Sequence, residues 1–191
     1  MCVGLMVCVF SYRDFTSSDP IFVKNFKKDE RVVEKIASYM ENEGLTLGRE
    51  KLLDTARSIY KVSKEYKIDY RLILAIIKVE SSFKHDVVSP KGARGLLQIK
   101  PSLAKFIARQ AGVHWNGKGT LDEPEKNIRI GTFFFSKLLE DFDNVHLALN
   151  AYNMGPTRLK SILNEKNKYN GSFSRQVIKE YKNISTMLPP P

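Results

Sequence analysis

Apolar residues recur along this chain at helical spacing and almost nowhere at the spacing of a strand. Residues 29–43 place Val32, Val33, Ile36 and Met40 on one side before Gly44 stops the pattern. Residues 47–66 repeat it with Leu52, Leu53, Ala56, Ile59 and Tyr60. A third helix is predicted to start at an Asp69 cap and to run through residue 83. Pro101 opens a short helix that ends at Gly112, and Pro124 a longer one through Ile128, Phe133, Phe134, Leu138 and Leu139. Residues 144–153 form the next, Gly155-Pro156 breaks the chain, and 157–163 and 173–187 supply the last two before Pro189. Alternation is confined to residues 96–99, and no segment repeats at a fixed period. The pattern predicts an all-α globule.

One residue breaks the third helix's polarity. Counting back three, four and seven residues from Glu80 reaches Ile77, Ile76 and Ile73, while Lys67, Arg71 and Lys78 fall on the other side. A carboxyl on the greasy face, near the negative end of the helix dipole, loses hydration and gains no help from the backbone. Both effects raise its pKa and favour the protonated form, which is what a general acid needs near neutral pH. The bland alternative is a solvated carboxylate at a frayed helix end. This helix alone leaves both open.

At 191 residues the chain has room for one domain with a sizeable core. Its formal charge of +10 is unevenly placed. Residues 67–115 carry nine Lys/Arg against three Asp/Glu, whereas 116–165 carry six against seven. The basic stretch holds Glu80, which suits an anionic polymer or surface, although charge alone does not distinguish nucleic acid from cell-wall material or from no polyanion at all. No nucleic-acid recognition motif is present. Cys2 and Cys8 are the only cysteines, so the body has neither a disulfide framework nor a thiolate metal site. His85, His114 and His146 lack ligand spacing and read as surface or core residues, so no metal is expected. The apolar run 1–10 matches the central region of a secretory signal but lacks a preceding Lys or Arg. Leu5 to Cys8 resembles a lipoprotein cleavage site in which Val7 is larger than usual, and 16–20 reads as a linker. Export is expected, with at most a peripheral or N-terminal membrane association.

Between Phe83 and Pro101 the chain turns on Gly92 and Gly95. Gln98, between Leu97 and Ile99, is an amide in an apolar setting, where sugar groups and loop carbonyls are equally good partners. Residues 151–156 (AYNMGP) place an aromatic and an amide at a helix end, where a plain helix terminus is the competing reading. Taken together, ESSF (80–83), GLLQI (95–99) and AYNMGP (151–156) resemble, in order and spacing, the motifs of lytic transglycosylases of the soluble lytic transglycosylase (SLT) type. The resemblance spans roughly 50–188. It implies a lysozyme-like α domain at 49–188, preceded by a leader and linker (1–20) and a helical extension (21–48), and followed by a proline tail (189–191).

Carried over by position, Glu80 matches the family's single acid/base. Ser81 matches the serine after it, and Ser89 a serine that contacts the reacting sugar's N-acetyl group. Gln98 matches the cleft glutamine, and Tyr152 and Asn153 the pair near the acid. Ordinary glycosidases use two carboxylates about 5–10 Å apart. Here the stretch 80–99 offers only Glu80 and Asp86, and Asp86 lies in no family motif. The resemblance implies that one Glu protonates the bond between N-acetylmuramic acid and N-acetylglucosamine. The same Glu then accepts a proton from the sugar's own 6-hydroxyl, which closes a 1,6-anhydro ring without metal or cofactor. The implied partner is peptidoglycan, with room for envelope proteins and none for nucleic acid.

Three positions depart from the family. Leu97 stands for Met, a volume-conserving change. Lys100 brings a cation that would lower the pKa of Glu80 if close, and Val177 replaces a Tyr that Tyr181 could replace only if the helix packs differently. A hydrolytic muramidase and a catalytically silent wall-binding or assembly protein are the competing readings.

Overall fold

The computed structural model describes residues 20–165 and 171–191, with side chains from residue 27 onward. The apolar run 1–10 and the linker up to residue 19 lie outside the described residues. Eight α-helices follow one another among the described residues: α1 (Pro20–Asn42), α2 (Arg49–Tyr66), α3 (Tyr70–Ser81), α4 (Pro101–Ile107), α5 (Pro124–Phe142), α6 (Val145–Met154), α7 (Pro156–Asn164) and α8 (Ser172–Met187). A 3-10 turn, Lys118–Asp122, precedes α5. The all-α expectation holds. The hint of extended chain at 96–99 amounts to two isolated antiparallel bridges, Val88 with Arg94 and Arg94 with Ile99.

Helix α3 is the central element, and its ends are built differently. At its start the Asp69 carboxylate accepts the Arg71 backbone N–H at 2.9 Å, as the predicted cap requires, and also the Arg71 guanidinium. At its finish Ser82 takes a left-handed conformation and stops the helix. Between them Ile73, Leu74, Ile76 and Ile77 are buried. The helix packs on α8, while α5 joins α2 to α6 and α1 lies on α2. Helix α8 runs antiparallel to α3. Tyr181 donates to Asp69 at 3.0 Å, and the Tyr70 hydroxyl reaches the Pro189 carbonyl beyond the end of α8.

Two boundaries differ from expectation. The helix opened by Pro101 gives way to turns after Ile107, and the Val113 N–H reaches back to the Ala108 carbonyl at 2.8 Å as the chain leaves through Gly112. Helix α1 begins at Pro20, before the predicted residue 29, and its Val32, Val33, Ile36, Ala37 and Met40 join the same buried core as α2 and α3.

Ile77 is wholly buried on the side that carries Glu80, and Phe106 is 78% exposed on α4. Ile77→Ala is expected to destabilise the fold by about 2–5 kcal/mol in urea unfolding. Phe106→Ala should stay within about 0.5 kcal/mol of wild type.

Candidate active site

Glu80 sits in the last turn of α3 and is largely buried. Burial holds its carboxyl protonated far past the ordinary value of 4.5, up to about 7. No ion pair offsets that burial. Lys100, the cation that could have pulled the value down, is exposed and plays no part in the shift. Lys78, two residues away, points to the other side of the helix and pairs with Glu43 after α1. Asp86, the nearest carboxylate in sequence, has an 83% exposed side chain beside His85.

Tyr152 comes from α6 and is brought to Glu80. Its phenol is held neutral by burial and by the negative charge that Glu80 would carry. Its hydroxyl donates to the Leu97 carbonyl at 2.8 Å, which leaves only lone pairs to offer a neighbour. Such a neighbour is better matched by a protonated carboxyl than by a carboxylate. Phe134 and Phe135 pack against the ring with centroids 5.5 and 6.1 Å away.

The loop 87–99 meets this site through Leu97, whose carbonyl takes the Tyr152 hydroxyl. The Gln98 side-chain amide donates to the carbonyls of Val87 (3.1 Å) and Gly95 (2.9 Å). Of the two readings left open for this residue, its NH2 group takes the loop carbonyls. The Ser89 hydroxyl accepts the Ala93 N–H at 3.0 Å and closes the turn 89–93. The Ser81 hydroxyl is buried and donates to the Ile77 carbonyl at 3.1 Å, so its proton braces the end of α3. Asn153 is exposed, next to Tyr152.

The residues that hold this loop escaped sequence reasoning. Asn127 of α5 accepts the Leu97 N–H at 2.8 Å and donates to the carbonyls of Arg94 (2.9 Å) and Leu121 (3.0 Å). A Cβ on Gly95 would lie 2.3 Å from the Asn127 amide, and one on Gly131 would lie 2.6 Å from Leu97. Only glycine lets the loop approach α5 so closely. A signal was available: an Asn and a Gly one turn apart on an otherwise apolar helix face. The loop is also anchored by the Arg94–Asp122 pair, two contacts at 2.8 Å. Asn150 of α6 exchanges two hydrogen bonds with Ser174, tying the start of α8 to the helix that carries Tyr152.

Among the described residues, five other than glycine have positive φ. Lys67, Ser82 and Asp143 cap helix C-termini. The other two, Phe83 (φ 62°) and Gln98 (φ 46°), flank the Glu80 site. Backbone of this kind costs about 1–2 kcal/mol per residue and persists where the surroundings impose it. The Phe83 ring is buried edge-on to Tyr39 of α1, centroids 5.9 Å apart.

Val177 is fully buried in α8, and Tyr181 does not stand in for the missing hydroxyl. Its OH is engaged with Asp69 at the opposite end of α3 from Glu80.

An all-α domain that sets one buried, unpaired carboxyl beside a tyrosine and a strained glutamine loop is a lysozyme-like α domain. The chain belongs to the transglycosylase SLT domain family, whose model matches residues 57–174. It is 39% identical over 92 residues to the soluble lytic murein transglycosylase of Salmonella typhimurium, covering 47% of this chain and 14% of that protein. It is 39% identical over 82 residues to the endo-type membrane-bound lytic murein transglycosylase A of Klebsiella pneumoniae, covering 41% of this chain and 39% of that protein. The chain thus spans well under half the length of these relatives. An inactive Glu-to-Gln mutant of Slt from Pseudomonas aeruginosa superposes with a TM-score of 0.54 at 27% identity, covering 69% of this chain and 22% of that one. The 70 kDa soluble lytic transglycosylase of Escherichia coli shares the fold, with a TM-score of 0.55 at 22% identity over 87% of this chain and 28% of that one.

The raised Glu80 value has a consequence for stability. Between about 4.5 and about 7 the folded protein binds a proton that the unfolded chain has released, so stability falls as pH rises through that window. Glu80→Gln removes the titration. The variant is expected to exceed wild type at pH 8 by roughly 1–3 kcal/mol in urea unfolding, with the gap shrinking toward pH 4. A difference that is constant with pH would show that the carboxyl is not held protonated by the fold.

Proposed function

We propose that this protein is a peptidoglycan lytic transglycosylase that cleaves the β-1,4 bond between N-acetylmuramic acid and N-acetylglucosamine and leaves a 1,6-anhydromuramic end. The observation that carries this reading is the Glu80 carboxyl, kept protonated to about pH 7 by burial alone. Protonated Glu80 gives its proton to the glycosidic oxygen as the bond from the anomeric carbon breaks. The acetamido oxygen of the same sugar closes on the anomeric carbon and holds its positive charge. Glu80, now a carboxylate, takes the proton of the 6-hydroxyl, and that oxygen displaces the acetamido oxygen. The proton count closes on one residue, and no water enters.

A hydrolase that used a second carboxylate would need one set into the site. Asp86, the candidate offered by the sequence, is turned to solvent. Tyr152 supports the protonated acid, and its neighbour Asn153 is the polar group assigned to the sugar. Gln98 is assigned to the cleft from a loop fixed by Asn127, and Ser89, which closes its turn, is assigned to the N-acetyl group. Ser81 acts from behind, by fixing the end of α3. The Glu-to-Gln mutant of the Pseudomonas aeruginosa protein, described as inactive, supports the same assignment for Glu80. The substrate is the wall polymer, which places the reaction in the cell envelope. No helix among the described residues is long and apolar enough to cross a membrane.

Mass spectrometry of muropeptides released from purified sacculi tests the reading. Wild type should release anhydromuramic products, and Glu80→Gln should lower their rate by about 10²–10⁴-fold. Reducing ends in their place would make the protein a hydrolase, and equal turnover in the variant would remove Glu80 from the acid role. The rate should decline as pH rises above about 7, because the protonated fraction of Glu80 falls there. A rate that rises through pH 8 would contradict the assignment.

A further inference from the structure

Away from Glu80, α4 and the turn after it carry a second concave surface. Lys105, Arg109, Gly112, Val113, His114 and Trp115 line an open cleft of about 460 Å3, within the size range of small-ligand sites. The cations in it are uncompensated. Arg57, Arg71, Arg94 and Arg129 each face a carboxylate, whereas neither Lys105 nor Arg109 has an ion-pair partner among the described residues. The sequence explains why: from residue 87 to 121 there is no Asp or Glu at all. The field in the cleft is therefore positive, and an anion entering it displaces no internal partner.

The cleft also has apolar walls. Trp115 is half-buried and Val113 buried, and Phe106, whose ring is 78% exposed, follows Lys105 on α4 at the margin of the lining. A large exposed aromatic next to unpaired cations and a half-buried Trp marks a surface for a ligand that joins an apolar body to carboxylates. The adjoining depression shares Gly112, Val113 and His114 and adds Asp54 and Glu125 to Arg57, Lys61, Lys126 and Arg129. Both carboxylates there are already paired, Asp54 with Arg57 and Glu125 with Lys51.

We propose that this cleft is an accessory site that binds the carboxylate-bearing stem peptide of peptidoglycan, apart from the glycan-cleaving centre. The assignment rests on the wall-polymer reading above. Lys105 and Arg109 take the peptide carboxylates, and Trp115 and Phe106 cover its apolar part. The site would hold the domain on cross-linked wall while Glu80 meets the glycan.

The test uses the full chain carrying Glu80→Gln, which removes turnover, with and without Lys105→Glu and Arg109→Glu. Charge reversal should weaken retention on purified sacculi about tenfold and make what remains less sensitive to salt. Retention on glycan strands stripped of their peptides should not change, nor should cleavage of such strands when Glu80 is intact. Unchanged retention on sacculi overturns the site. An equal loss on peptide-free glycan or on duplex DNA overturns the peptide as its ligand. A parent that ignores sacculi altogether removes the wall reading and this site with it. That result is distinct from a retained parent that tolerates charge reversal, which removes the site alone.

Discussion

The site depends on a carboxyl placed in an apolar setting with nothing to neutralise its charge. Glu80 shares a face with Ile73, Ile76 and Ile77, all buried in the core. Taking a carboxylate out of water without a partner is unfavourable enough that the group keeps its proton instead. The surroundings then have to remain free of nearby cations. Lys100 turns to solvent, Lys78 is drawn to the far side of the helix by Glu43, and the close polar neighbour is a neutral phenol. The fold thus forgoes stability at neutral pH to keep an acid in its protonated form.

An acid of this kind is useful only if the groups opposite it stay in place. The loop 87–99 has no regular strand to fix it, so α5 does the fixing. Asn127 takes up three backbone groups of the loop and its neighbour turn, and Gly131 lets Leu97 settle onto the helix with its carbonyl toward Tyr152. Each backbone partner of Asn127 would otherwise be a buried polar group without a hydrogen bond. The strained residues, Phe83 and Gln98, are held by the packing of α1 and by the loop's own carbonyls. Strain at a functional site is tolerable when the elements around it are rigid.

Much of this was legible in the sequence because it is local. Helix periodicity, the Asp69 cap and the apolar neighbours of Glu80 follow from spacing alone, and the structure keeps them. What spacing could not reach was the direction of side chains. Gln98 stood equally for sugar or loop, and only the fold shows its amide turned to Val87 and Gly95. Tyr181 could replace a hydroxyl at 177 only with a different packing of the helix, and the antiparallel run of α8 along α3 carries it to Asp69. Asn127 and Gly131 were missed because their purpose appears only when a loop some thirty residues earlier is folded against them. The early end of α4 was hidden for a related reason: the turn through Gly112 satisfies its backbone without further helix.

Helix α1 extends the argument beyond the family's own boundaries. It lies before residue 57, where the family match begins, yet it supplies Tyr39 against Phe83, and the corner just after it supplies Glu43 against Lys78. Both contacts fall within the six residues 78–83 around the end of α3. One fixes the turn that ends the helix just after Glu80. The other neutralises the cation nearest to Glu80 in sequence and keeps it on the opposite side. In the proposed reaction a lone carboxyl serves first as acid and then as base, with no second group to correct its position or its charge. Whatever stands in contact with the end of α3 therefore shares in setting both, and in this chain that includes a helix outside the recognised domain.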